Sequence, residues 1–196
     1  MTSKRLKSGV DKDISTTNKV LENHVVEQFQ TSDDKNNLAL RLNFMRATHA
    51  IMLPVLEGIV KELSIIRRKH ASTPMQARTH GQAAGPTTAG KEFAVFEERL
   101  TVQIRKLSEQ KLTGKLNGAV GNWNSMKFVF PEKDWLVFSE KFVSSLGLIP
   151  NNYTTQINPY DDVAEYLQNI SRINNILISL SDDIWHYIAD SWIVQI

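Results

Sequence analysis

Apolar residues recur at intervals of three and four along most of the chain, and polar breaks cut that pattern into a few long segments. Leu53, Leu56, Val60, Leu63 and Ile66 mark one stripe, and Phe93, Phe96, Leu100 and Ile104 mark another. The longest runs through Val163, Leu167, Ile170, Ile173, Leu177, Leu180, Ile184, Ile188 and Trp192. This is the spacing of helices that bury one face. It predicts helices over 32–69, 87–112, 132–146 and 160–195. Pro54 kinks or divides the first, because it lacks an amide hydrogen and crowds the carbonyl four residues back. Pro86-Thr87-Thr88 starts the second. The third opens at Pro131-Glu-Lys-Asp-Trp135 and closes on Gly147 as a cap. Asp161 and Asp162 sit at the positively polarised start of the fourth.

Helices this long bury their stripes in extended bundles, so the expected fold is all-α, an elongated long-helix bundle with polar loops. Ile173, Ile176, Leu177, Ile178 and Leu180 cover more than one face of the last helix. That points to neighbours on several sides and hence to oligomerisation. Residues 1–30 are polar and weakly patterned, read as an arm or a short helix near 17–29, and 31–196 as the bundle domain. The breaks are Ser72–Gln82, the glycine-rich Gly114–Asn124 and the connector Asn151–Pro159. The sequence stops on Trp192-Ile-Val-Gln-Ile196 without Gly, Asn, Pro or a basic turn, which predicts an uncapped helix end and a truncated chain.

Composition narrows the class. At 196 residues the chain has one domain's worth of sequence, able to bury about 70% of its unfolded surface. Its 23 Lys+Arg nearly balance 21 Asp+Glu, which argues against a nucleic-acid or membrane-surface partner. With no cysteine it has neither disulfides nor thiolate metal sites, consistent with a reducing cytoplasm. No apolar run approaches a membrane span, and the basic N-terminus lacks the apolar segment of a secretory signal.

Candidate chemistry lies in the polar breaks. His80 stands in a short break between two helical patterns, where rigid helices leave a side chain both exposed and positioned. Its titration range suits proton transfer, although a loop histidine taken alone is more often structural or merely solvated. Arg78 and Gln82 flank it with planar groups suited to a carboxylate or phosphate. Thr31 and Ser32 have hydroxyls for a carboxylate, and equally for capping the helix that follows. Lys115 and Asn117 lie in a segment whose glycines permit positive φ. Gln156 offers an amide, or joins a local turn with Thr154 and Thr155. Asp161 and Asp162 read first as helix-end charges. His49, His70 and His186 lack metal-ligand spacing, and Trp123, Trp135, Trp185 and Trp192 read as core or interface anchors.

Several of these segments together carry a resemblance. Arg78-Thr-His-Gly-Gln82 is similar to a catalytic-histidine motif, and Gly85-Pro-Thr-Thr-Ala-Gly-Lys-Glu92 to the helix start that follows it. Gly114-Lys-Leu-Asn-Gly-Ala-Val-Gly121, Phe130-Pro-Glu-Lys-Asp-Trp135, Phe142-Val-Ser-Ser-Leu-Gly147 and Tyr153-Thr-Thr-Gln-Ile157 come in matching order. Thr31-Ser-Asp-Asp34, with Asn36-Asn37, resembles a Thr-Ser-x-Asp element. From Thr31 to Ile196 the chain thus resembles the adenylosuccinate lyase family of the fumarase/aspartase superfamily, in its proteobacterial form. The run Asn117–Gly121 and the Thr-Thr-Gln segment separate it from fumarase, aspartase and argininosuccinate lyase.

The resemblance implies a C–N lyase of purine nucleotide and AMP biosynthesis. Such an enzyme eliminates fumarate from adenylosuccinate and from the succinyl-carboxamide imidazole ribotide. By resemblance His80 is the general acid, while Arg78, Thr79 and Gln82 shape its loop. Lys115 and Asn117 would face the succinyl or phosphate end, with Thr31, Ser32 and Gln156 as substrate contacts. It implies no metal or organic cofactor, a cytoplasmic homotetramer, and sites formed where subunits meet. Three departures stand out. Glu27 occupies a position where the family has histidine, and Thr16-Thr17-Asn18 preserves only part of an upstream element. The family's general-base serine lies on a Ser-Ser-x-Met-Pro-x-Lys-x-Asn-Pro loop that would follow Ile196. These departures lead us to expect little activity from the chain alone. The alternative reading is a non-catalytic remnant or oligomerisation module that keeps the bundle.

Overall fold

The computed structural model describes residues 30–194. The expectations for 1–30, including Glu27 and the element at Thr16–Asn18, lie largely outside those residues, as do Gln195 and Ile196. The described residues are mostly helical, 64% helix against 10% strand, in keeping with the apolar periodicity. The described residues fall into two units, one of 30–47 with 111–164 and one of 48–110 with 165–194. No helix among them is long and apolar enough to cross a membrane.

The first unit is built on α1 (Ser32–Ala47), which is unusual in what it hides. Asp33, Asp34, Asn37 and Arg41 are buried on it together with Leu38 and Leu42. The face that helical spacing turns inward is therefore largely polar. Thr31 caps the helix: its amide donates to Asp34 Oδ2 at 3.0 Å, and the Asp34 amide contacts Thr31 Oγ1 at 3.4 Å. This reciprocal arrangement satisfies donors that the first turn leaves without partners. The unit continues with β1 (Thr113–Gly114), α2 (Asn124–Val129), α3 (Trp135–Ser145) and β2 (Ile149–Pro150), and β1 pairs in parallel with β2. Leu38, Leu112, Met126, Trp135, Val143 and Leu148 form its buried interior.

Two details differ from expectation here. A short helix, α2, follows the glycine-rich loop, and Pro131–Asp134 is a turn before α3, which Asp134 caps by accepting the Val137 amide at 3.1 Å. Gly147 ends α3 as expected, at φ 82°. Its amide donates to the Ser144 carbonyl (2.9 Å), and the Leu148 amide to that of Val143 (3.3 Å). That is the Schellman pattern, closed by contact-prone apolar residues at both ends.

The second unit contains α4 (Leu53–Lys69), strands β3 (Pro74–Thr79) and β4 (Gln82–Thr88), α5 (Ala89–Glu109) and most of α6 (Asp161–Ala189). A π-helical turn at Thr48–Met52 precedes α4 and places Pro54 in its first turn. The wider turn and the N-terminal position accommodate a residue with no amide hydrogen. Gly90 lets α5 approach α4, because a Cβ there would lie 2.5 Å from the Arg67 carbonyl oxygen.

The expected loop at Ser72–Gln82 is instead one arm and the tip of an antiparallel hairpin, with Thr79 opposite Gln82 and a bulge between Gln76 and Arg78. Gly85 and Pro86 are poor strand formers and masked it; edge strands tolerate proline. The buried stripe of α6 keeps Val163, Ile173 and Leu180 of the expected one but otherwise runs through different positions. Tyr166, Asn169, Ile173, Ile176 and Leu180 are buried, whereas Leu167 is 50% and Ile178 59% exposed. Tyr166 and Asn169 go inward because each finds a partner there: Thr48 Oγ1 at 2.7 Å and the Gln103 carbonyl at 3.4 Å.

The last correction concerns the end of α6. The helix stops at Ala189, not near 195, and it is capped. Ser191 adopts φ 62°, its amide donates to the Ile188 carbonyl at 3.0 Å, and the Trp192 amide donates to Tyr187 at 2.8 Å. Ser191 thus takes the left-handed place that glycine usually fills.

Candidate functional site

In the first unit, the segments read as substrate contacts are joined by a buried polar network. The Asp34 carboxylate, fully enclosed, accepts from Thr31 N (3.0 Å), Lys115 Nζ (2.6 Å) and Asn117 N (3.3 Å). Lys115 Nζ also donates to the Gly118 carbonyl at 2.8 Å. Asn37 bonds both the amide and the carbonyl of Lys115, and its Oδ1 accepts from Asn158 at 3.2 Å. Asn117 exchanges hydrogen bonds with Thr154, the closest at 2.8 Å. Gly118 and Gly121 take φ of 81° and 82°, and a Cβ on Gly121 would collide with the Thr154 carbonyl.

Lys115 and Asn117, expected at a succinyl or phosphate end, are therefore buried and spend their polar atoms on protein partners. A buried ammonium is tolerable only when paired and hydrogen-bonded in this way. Ser32 and Gln156, by contrast, have exposed side chains, and Thr31 is half-buried under its capping bonds.

A second ion pair lies in the same unit. Buried Arg41 donates through Nε and Nη2 to the two Asp162 oxygens, each at 3.0 Å, and through Nη2 to the Pro159 carbonyl at 2.6 Å. Asp162 also accepts from the Thr113 amide (2.7 Å) and hydroxyl (2.8 Å). Burial by itself would raise the Asp162 pKa, but the bonds from Arg41 and Thr113 outweigh it and hold the carboxyl below its ordinary value. Asp162 is thus more than a helix-end charge. Arg41 and Asn158 belong to no motif in the sequence, although Asp33, Asn37 and Arg41 recur at helical spacing. The signal was there, carried by polar residues.

In the second unit, His80 and Gly81 form the two-residue tip between β3 and β4, with φ of 52° and 73°. Two consecutive positive values are the mark of a type I′ hairpin turn, which favours Asn-Gly. His80, Thr79 and Gln82 are exposed. Arg78 Nη1 donates to the Gly81 carbonyl at 3.0 Å, bracing the turn from below. Arg78 and Gly81 also border a cavity of about 590 Å³ with Glu92, Asp183, Tyr187 and Asp190. Burial raises the pKa of Asp183, helped by Glu92, and pushes Tyr187 up to about 12 for the same reasons. Among the described residues no group of three or more His, Cys, Asp or Glu is arranged to hold a metal.

Known proteins place this geometry in context. A family profile described as lyase matches residues 2–194. Adenylosuccinate lyase of Legionella pneumophila (strain Corby) is 44% identical over 165 residues, covering 84% of this chain and 36% of that protein. Its counterpart from Escherichia coli (strain K12) is 42% identical over 172 residues, covering 86% and 38%. The chain thus spans little more than a third of the length of these curated relatives. The crystal structure of a fumarate lyase from Mesorhizobium sp. BNC1 superposes with a TM-score of 0.69 at 25% identity, over 81% of this chain and 37% of that one. The profile match covers nearly every residue, and the chain belongs to the lyase family, with adenylosuccinate lyases among its relatives.

Proposed function

We propose that this chain carries the proton-donating part of a C–N lyase that eliminates fumarate from a succinyl-amino purine nucleotide, with His80 as general acid. The observation that carries the reading is His80 at an exposed tip, in a left-handed conformation. A non-glycine residue there costs on the order of 1 kcal/mol, and backbone strain of this kind collects at functional sites. In the reaction a base removes the proton from the carbon beside a carboxylate. The C–N bond breaks as the C=C bond forms, and the His80 imidazolium gives its proton to the departing nitrogen. Fumarate and the amino nucleotide leave. By resemblance the base is a serine on a Ser-Ser-x-Met-Pro loop, a motif not found in these 196 residues.

Adenylosuccinate and the succinyl-carboxamide imidazole ribotide are the substrates this reading assigns. Exposed Ser32 and Gln156 are the donors we assign to a substrate carboxylate, with Lys115 and Asn117 holding their segments in place. A cytoplasmic homotetramer without metal or organic cofactor fits the reading, each site drawing motifs from different subunits. The second reading, an oligomerisation module without chemistry, draws on Leu167, Ile178 and Trp185, which are 50%, 59% and 66% exposed on α6.

The two readings separate in a hybrid enzyme in which residues 30–194 replace the matching segment of Escherichia coli adenylosuccinate lyase. Gln156→Ala should raise KM for adenylosuccinate roughly 10- to 100-fold, the worth of a hydrogen bond to a charged group, and leave kcat within a few-fold. An unchanged KM would remove Gln156 from the site.

A further inference from the structure

The hairpin tip has little packing to hold it. Thr79, His80, Gly81 and Gln82 are all exposed, and a Cβ built on Gly81 would meet nothing within 4 Å. Beneath it lies the 590 Å³ cavity. A turn with two positive φ values over open space needs another restraint if it is to present one orientation of its histidine.

Arg78 supplies part of that restraint with one arm, Nη1 on the Gly81 carbonyl at 3.0 Å. Its other arm meets α6. Arg78 Nε pairs with Asp190 Oδ2 at 2.9 Å, the two side chains being 48% and 33% exposed. A guanidinium suits this task because its fork serves two partners in one plane, which a lysine ammonium does not reproduce.

Asp190 is oddly placed for any local purpose. It follows the last residue of α6, where the helix end is negatively polarised and an acidic side chain is disfavoured. A Schellman turn, with Ser191 at φ 62° and the Trp192–Tyr187 bond, sets the direction of the chain around it. One turn earlier, Tyr187 OH approaches Glu92 Oε2 at 3.5 Å, while Thr87 Oγ1 donates to Glu92 Oε1 at 3.1 Å. The end of α6 is thus tied to the root of the hairpin as well as to its tip.

We propose that Asp190, acting through Arg78, is a positioning residue for His80: the capped end of α6 orients the His80–Gly81 turn. The proposal rests on the reading of His80 as the acid for its functional meaning, but the clamp itself is testable without activity. It also gives Arg78 a role other than substrate recognition.

Amide hydrogen exchange measured by NMR on the 196-residue chain tests it, with residues 79–82 compared against 75–77, Gly85 and Thr87 at the hairpin root. Asp190→Ala should speed exchange at 79–82 about two- to fivefold, the range of a partly exposed ion pair, with the root unchanged. The His80 ring resonance should broaden or split. Arg78→Gln should do the same or more, because it loses both arms, and Asp190→Glu should restore the native pattern. Exchange at 79–82 unaltered in Asp190→Ala would overturn the proposal, whatever Arg78→Gln does. So would equal acceleration over the whole chain, which would make Asp190 merely structural. Absence of fumarate release in the hybrid would refute the lyase reading and leave the exchange result standing, so the two fail separately.

Discussion

The Arg41–Asp162 pair joins Lys115–Asp34 as an ion pair with a fully buried cation in the first unit. Arg41 is fully buried and Asp162 partly so, and the carboxylate also holds Thr113. Asp162→Ala leaves a buried guanidinium without its counter-ion and should cost roughly 3–5 kcal/mol, read from denaturant midpoints. The pH dependence has a definite sign. Because the folded pKa of Asp162 lies below the ordinary 3.8, its contribution is complete above that value. It is lost as pH falls through the lowered folded pKa. The variant should therefore show a flatter acid limb than the native chain, and an identical limb would contradict the assignment. At this scale the sequence was uneven as a guide. The candidate His80 stands out in the sequence because its motif is contiguous. The burial of Lys115 and Asn117 does not, because their partners Asp34 and Thr154 lie 81 and 37 residues away.

Elements follow the same division. The apolar stripes of α4 and α5 match the buried positions at Leu53, Leu56, Leu63, Phe93, Phe96, Leu100 and Ile104, while Val60 and Ile66 are half-buried. α1 hides a polar face and has little apolar periodicity to read. The hairpin escaped notice because Gly85 and Pro86 speak against strands locally, while its tip pair His80-Gly81 carries a turn signal of the Asn-Gly type. The two Schellman ends make a natural comparison: Gly147 occupies the left-handed position after α3 and Ser191 after α6. Serine has a Cβ to accommodate there, so Ser191→Gly should stabilise the chain by about 1 kcal/mol. Thermal melting checks this, and a neutral or negative shift would mean that position 191 does not hold the left-handed conformation in solution.

For the whole molecule, family and fold rest on the profile match and on the shared architecture, whereas the proposed reaction rests on His80. If His80 were only a turn residue, asparagine would serve better at φ 52° beside Gly81. His80→Asn therefore separates chemistry from architecture: it keeps or improves the hairpin and removes the proton donor. The decisive measurement is fumarate release from adenylosuccinate by the hybrid carrying residues 30–194, with and without this substitution. The account predicts turnover in the unmodified hybrid, falling roughly 10²- to 10⁴-fold in His80→Asn with KM little changed. Equal turnover in the two, or a folded hybrid that releases no fumarate, would contradict it.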